Sequence, residues 1–403
     1  MSDRVSNTKE LFMQPLAGIT VVAVEQAVAA PFATRQLADL GARVIKVERP
    51  GTGDFARHYD SAVGGKLGSH FLWLNRSKES LTLDLKSGAA VLHKLLAGAD
   101  VLLANLAPGA LERLGFGTES LLARYQRLIV VTISGYGSSG PYQDKRAYDL
   151  LVQCETAIPS VTGTPNSPVK AGIPIADIGA GMYAFTGVLT ALRQRDLTGH
   201  GLSVEVSMFD ALAEWMGYPM YHAKHTGNEF PRLGLGHPSV VPYDAFPTKD
   251  SEEVMIGVQN DQQWARLAGD IMQRPQLIND PDYATNIART RNRAAVDTAL
   301  RTATGAMVAE VLVERLERAG IPNARLNTVP QLVDHPQLRE RARWRSVDTP
   351  AGLVDTLLPP MIMQGVEPRM DSVPELGSDT DMILTELGYG SEDIASLRAE
   401  GTV

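Results

Sequence analysis

The chain has 403 residues, 38 of them Lys or Arg and 46 Asp or Glu, for a formal net charge of −8 with 44% apolar and 21% charged residues. That balance suits a folded chain of two or three domains, excludes global disorder, and argues against nucleic acid as the main partner, because neutralising phosphates needs a basic face. One cysteine, Cys154, excludes an intramolecular disulfide scaffold.

The opening residues MSDRVSNTKE have no apolar core behind a basic start, so no secretory signal is expected. No apolar run approaches the roughly 18 to 20 residues of a membrane span, so no membrane partner is expected and the cytoplasm is the simplest address. Ile19–Val24 reads as a buried strand and Pro31–Gly41 as an amphipathic helix closed by glycine. Arg43–Glu48, Leu81–Leu85, Val101–Asn105 and Leu128–Ser134 read as further strands, with a helix over 87–97. Strands alternating with helical stretches predict a parallel, doubly wound α/β domain.

A helix is expected over Asp177–Arg195, a strand over Leu202–Ser207 and a helix over Met208–Lys224. A Gly- and Pro-containing loop follows at 227–239, then two paired strands at 240–246 and 253–259. Three helical stretches (261–273, 289–304 and 306–319) complete a smaller α+β domain over about 228–325. Beyond it lie short strand-like segments broken by Pro350, Pro359 and Pro360, and terminal short helices.

Gly135-Tyr-Gly137-Ser-Ser-Gly140 fits the spacing of a dinucleotide loop, but Pro141 and a polar stretch follow where a helix must receive the pyrophosphate. It is read as a polar loop at a strand end. The eight histidines are scattered; His222 and His225 are close but have no third ligand nearby, so no metal is expected. Cys154 lies in LLVQC, where a buried thiol is the default.

Asp177 interrupts AGIPIADIGAGM, a small-residue segment that turns from loop to helix. It reads either as the cap of that helix or as a partly desolvated nucleophile. Arg49, Arg113 and Arg146 follow predicted strands or their loops, on the edge where open α/β sheets bind ligands. Convergent guanidinium groups there would take phosphates bidentately.

Several segments together resemble the family III CoA-transferases, which include formyl-CoA-, carnitine- and succinyl-CoA-dependent enzymes and the α-methylacyl-CoA racemases. They are PLAGITVV (15–22), APFAT (30–34), LADLGARVIKVERPGTGD (37–54), NRSK (75–78) and LTLDLK (81–86). NLAPG (105–109), GYG (135–137), AYD (147–149), AD (176–177), TGHG (198–201) and SMFDA (207–211) continue the series, and HPSVVPY (237–243) and LGSDTD (376–381) close it.

The resemblance implies an α/β fold: a Rossmann-like large CoA-binding domain (1–227, rejoined through 326–403) with an inserted smaller α+β domain (228–325), in an interlocked homodimer. It makes Asp177 the catalytic nucleophile. It assigns Ala29, Arg49, Leu83, Asn105, Arg113, Arg146 and Tyr148 to CoA contacts. The implied substrates are a CoA thioester and a small organic acid, with no tightly bound cofactor.

Formyl-CoA transferases carry a run of glycines where this chain has Leu233-Gly-Leu-Gly-His-Pro238, which is closer to the succinyl-CoA:dicarboxylate branch. Succinyl-CoA is therefore the expected donor, and Arg57 and His237 are the expected contacts for a diacid's second carboxylate. The alternative is a racemase on the same fold. Racemases of the family place a histidine base where this chain has Tyr148, and a phenol with an ordinary pKa near 10 replaces it poorly.

Overall fold

A computed structural model describes residues 13–403. The chain forms two compact units, one from residues through 158, 171–221 and 339–403, the other from 159–170 and 222–338.

The first unit is built on six strands: β1 (Thr20–Val24), β2 (Arg43–Glu48), β3 (Lys78–Thr82), β4 (Val101–Ala104), β5 (Ile129–Ser134) and β6 (Ser203–Ser207). All pair in parallel, in the order β3-β2-β1-β4-β5-β6. β1 and β4 bury nearly every residue, as strands covered on both faces must. One face packs Val22, Ile45, Leu81 and Leu102 against Leu92 and Leu96 of the helix Ala89–Ala97 and against Ile383 and Leu384 from the C-terminal segment.

α1 (Ala29–Asp39) and the 24-residue α3 (Ile175–Thr198) lie against each other through small residues. A Cβ at Gly181 would come within 2.6 Å of the Ala29 carbonyl oxygen, so only glycine permits this approach. Between them in sequence lies α2 (Asp149–Glu155), and after β6 comes α4 (Met208–Trp215).

The sheet order reverses between β1 and β4, and a crevice beyond the carboxyl ends of the strands is expected there. The loops that leave β1 and β4 therefore occupy the place where an open α/β sheet holds its ligand.

The second unit carries a three-stranded antiparallel sheet, β7 (Tyr243–Pro247), β8 (Glu253–Gly257) and β9 (Asn323–Arg325), in the order β9-β8-β7. Its core gathers Phe246, Trp264, Leu267, Leu300, Leu312 and Leu316.

Several expectations are corrected. β3 starts three residues earlier than the pattern suggests, because Lys78 is a buried ion-pair residue rather than a solvated one. The expected single helix at 208–224 is two, Met208–Trp215 and Gly217–Thr226, divided before a Gly-Tyr-Pro sequence. The second unit also takes in 159–170 and extends to 338, where the sequence pattern set its limits at 228 and 325. α3 is long and apolar enough to cross a membrane by length and composition, although half of its most apolar stretch is buried in the fold. Cys154 is exposed, because α2 buries Val152 and Gln153 instead.

Candidate active site

The loop leaving β1 is held from several sides. The Asn105 carboxamide, just beyond β4, accepts the Gln26 N–H at 2.9 Å and donates to the Gln26 carbonyl at 2.8 Å. Ala27 sits in the left-handed region at φ 62°, and its N–H donates to Asp54 Oδ1 at 3.0 Å. α1 then begins at Ala29 with no side-chain cap, so its first N–H groups are free to meet an anion. The Ala29 N–H faces the Asp177 carboxylate and favours its charged form.

Asp177 occupies the third position of α3, which excludes its reading as that helix's own cap. Pro174 stands at the cap position and supplies no side-chain acceptor. Asp149, from α2, caps α3 instead. Its Oδ1 accepts the Ala176 N–H at 2.7 Å and the Asp177 N–H at 3.3 Å. Gln153 holds Asp149 in turn, donating to Oδ2 at 2.6 Å while its own carbonyl accepts from the Ala171 N–H at 3.0 Å.

The electrostatic result is a carboxyl poised near neutrality. Burial and then the Asp149 charge raise the Asp177 pKa from 3.8 to about 7, with only the Ala29 N–H pulling it down. Tyr59 senses the same place. Its phenol is raised to about 12 by burial and by nearby Asp54, Asp177 and Tyr148.

A cleft of about 210 Å³ opens at the carboxyl ends of β1 to β4, lined by Gln26, Arg49, Leu83, Lys86, Leu106 and Leu114 among others. Leu83 is its buried floor and Arg49 is exposed at its edge. Arg113 lies on the short helix Ala110–Arg113, and its guanidinium donates to the carbonyl of Pro108 at 3.1 Å. Arg146 and Tyr148 are exposed in the segment leading into α2, and Tyr148 is 73% exposed. The three arginines thus do not line one common cleft. The Gly135–Gly140 segment forms a loop with no helix behind it before Asp149, and the Ser138 hydroxyl donates to Glu205 at 2.6 Å.

The two expected acceptor contacts have different surroundings. Arg57 is buried and spent. It pairs with both carboxylate oxygens of Glu48 at 2.8 Å, donates to the Pro374 carbonyl at 3.1 Å and stacks over Phe71 at 3.8 Å. Burial pushes Glu48 up, but the Arg57 hydrogen bonds and the Lys46 charge prevail and hold it at about 2. His237 lies in the second unit, where its Nδ1 accepts from the Ser239 N–H at 3.1 Å and its ring meets the Tyr243 ring edge-on. Among the described residues, no group of His, Cys, Asp or Glu is arranged to hold a metal ion.

Sequence reasoning missed Asp149, the Asn105 clamp, Lys86 and a fully buried cluster of Glu25, Lys46, Asp54 and Lys78. A signal for Asp149 existed: an acid just before an apolar helical run reads as a capping residue. The helix it caps, however, begins 26 residues further on, at Ile175. Burial drives the Lys78 ammonium down to about 7 despite its ion pair with Glu25.

The sequence model of CoA-transferase family III matches residues 16–380. The chain is 33% identical over 405 residues to the succinyl-CoA–D-citramalate CoA-transferase of Chloroflexus aurantiacus, covering 97% of this chain and 98% of that one. It is 30% identical over 397 residues to the human succinyl-CoA:glutarate CoA-transferase, covering 97% and 90%. A crystal structure of a CaiB/BaiF family protein from Brucella suis superposes with a TM-score of 0.82 at 32% identity, over 93% of this chain and 99% of that one.

Proposed function

The chain belongs to CoA-transferase family III, and we propose that within it the protein moves CoA from succinyl-CoA to a small dicarboxylate, with Asp177 as the nucleophile. The observation that carries this reading is the Asp177 carboxyl, partly buried, raised to about 7 and met by the Ala29 N–H at the start of α1. Relatives whose names specify succinyl-CoA with glutarate or D-citramalate support this choice of donor.

In the reaction, an Asp177 oxygen attacks the thioester carbonyl, the C–S bond breaks, and CoA leaves as thiolate, giving a mixed anhydride. The thiolate attacks the aspartyl carbonyl, which releases succinate and leaves an aspartyl-CoA thioester. The acceptor carboxylate then attacks that thioester, forming a second anhydride and freeing the thiolate again. Attack of the thiolate on the acceptor carbonyl yields the new thioester and returns the Asp177 carboxylate. No proton is consumed.

A carboxylate is a weak nucleophile in water, so burial of Asp177 and a prepositioned N–H account for a large part of the rate. The N–H groups of Ala176 and Asp177 are already taken by Asp149, which leaves the α1 terminus to meet the developing oxyanion. Arg49 and Lys86, at the β1–β4 cleft, are the proposed cations for the CoA phosphates, with Arg113 close by. The active assembly is proposed to be a homodimer.

The test is a chromatographic assay of purified protein with succinyl-CoA and one diacid at a time. A new acyl-CoA formed with equal loss of succinyl-CoA supports transfer and names the acceptor. No conversion of any diacid, together with α-deuteration of a 2-methylacyl-CoA in deuterated water, would replace the reading with a racemase.

A further inference from the structure

The most conspicuous chemistry outside the reacting groups is the cluster of four buried charges directly behind the β1–α1 turn. Lys46 Nζ lies 2.8 Å from Asp54 Oδ2 and 3.3 Å from Glu25 Oε1, and Lys78 Nζ lies 2.7 Å from the same Glu25 oxygen. The side chains of Glu25, Lys46, Asp54 and Lys78 are fully buried. Buried ion pairs of this kind are often no more stabilising than apolar side chains of the same volume, so stability alone is a poor account of them.

What the cluster does is grip the turn at three points. Glu25 is the residue before Gln26, and its second oxygen accepts from Thr34 on α1 at 2.6 Å. Lys78 also donates to the Pro31 carbonyl at 3.2 Å, two residues into α1. Asp54 Oδ1 accepts the N–H of Ala27 at 3.0 Å and of Ala56 at 2.9 Å, while Oδ2 faces Lys46. Ala27 needs such a hold. At φ 62° a residue with a Cβ is in a region that costs about 1 kcal/mol or more to occupy. Two residues later the backbone presents Ala29, whose carbonyl is pressed against Gly181 of α3 and whose N–H meets Asp177.

We propose that Asp54, fixed by Lys46 and Glu25, is a positioning residue for the transfer reaction: it locks Ala27 in its left-handed conformation and so aims the Ala29 N–H at Asp177. This rests on the transferase reading above. A donor that must serve an oxyanion for a fleeting moment contributes only if its position is set beforehand, and a dry, fully paired ion cluster sets backbone position more stiffly than apolar contacts do.

The experiment compares wild type with Asp54→Asn and Ala27→Val. Asn retains the size and one acceptor oxygen but gives up the ion pair with Lys46; Val leaves the cluster intact and disfavours the left-handed turn. For both variants kcat is expected to fall about 10- to 100-fold with the KM for acyl-CoA within about 3-fold.

A second readout needs no turnover. Carboxyl-labelled aspartate is titrated by NMR, with Asp177→Asn identifying the resonance. The groups facing Asp177 are Asp149, Tyr59 and the Ala29 N–H, and only the last lowers its pKa. Misplacing it therefore moves the Asp177 titration above the wild-type value. Folded variants with wild-type kcat and an unmoved titration overturn the proposal, as does a fall in kcat with the titration unmoved. If Asp54→Asn fails to fold, Ala27→Val carries the same two outcomes. Wild type that transfers no CoA refutes the transferase reading instead, and the titration still decides the positioning role.

Discussion

Replacing Asp149 with Asn tests the electrostatics of the site most directly. The amide keeps an oxygen that can accept the Ala176 N–H, now at 2.7 Å, and the weaker 3.3 Å bond from Asp177. It puts an NH₂ group where Oδ2 now receives Gln153 at 2.6 Å, and Gln153 cannot turn over without losing its bond from Ala171. The structural cost is one buried hydrogen bond, about 1 kcal/mol. The electrostatic effect is larger. Burial is the first cause of the raised Asp177 pKa and the Asp149 charge the second, so removing the charge returns part of the rise from 3.8 to about 7. A return of about one pH unit is the expected size for a close like charge near a partly solvated site.

At pH 6 a carboxyl of pKa 7 is about one-tenth ionised and one of pKa 6 is half ionised, so kcat/KM relative to each enzyme's plateau rises about fivefold. At pH 8 both are ionised and the gain vanishes. The assay is the initial rate of acyl exchange from pH 5 to 9. An acid limb that stays in place or moves upward refutes the reasoning. Stability provides a second check with a definite sign. The folded state holds the Asp177 proton more tightly than the unfolded chain, so this group costs the wild type stability progressively as pH rises from about 4 to about 7. In Asp149→Asn that loss is smaller and ends at lower pH, which thermal melts between pH 4 and 8 would show.

Asp177→Ala is expected to abolish transfer while leaving CoA affinity within a few-fold by calorimetry; more than a few per cent residual activity would contradict a covalent route through this residue. Arg49→Ala is expected to raise the KM for acyl-CoA about 10-fold with little change in kcat, since a phosphate contact serves ground state and transition state alike. Arg57→Leu leaves Glu48 buried without its cation, and a stability loss of about 3–5 kcal/mol by urea unfolding is expected. If the protein instead keeps its stability and loses only acceptor affinity, the structural role of Arg57 is wrong. Light scattering on purified protein is expected to give a dimer, and a monomer would contradict the proposed assembly.

The centre of the parallel sheet was legible because β1, β4 and β5 are largely apolar runs, and Asp177 stood out as a candidate because it is a lone acid among glycines and alanines. What was not legible is everything that required a charged side chain to be buried. Nothing in the sequence marks Lys46 and Lys78 as buried, and only the paired carboxylates of Glu25 and Asp54, brought in from two loops, make their burial tolerable. Arg57 illustrates the converse: a cation expected to meet a diacid's second carboxylate is already held by Glu48. A ligand role cannot be read from residue type when a buried counter-ion competes for the same group.

The same competition explains why the carboxyl of Asp177, the proposed nucleophile, is flanked by two unlike neighbours. A helix N-terminus would by itself stabilise the Asp177 anion and leave it a feeble nucleophile. By taking the first free N–H groups of α3, Asp149 removes that stabilisation and adds a repelling charge, so that Asp177 retains basicity. The α1 terminus then offers one N–H, from Ala29, through a turn that the buried ions hold in place. Opposite titration shifts follow from the two perturbations: downward for Asp149→Asn and upward for Asp54→Asn. Shifts of the same sign in both variants would mean that general loosening of the site, and not this division of labour, controls Asp177.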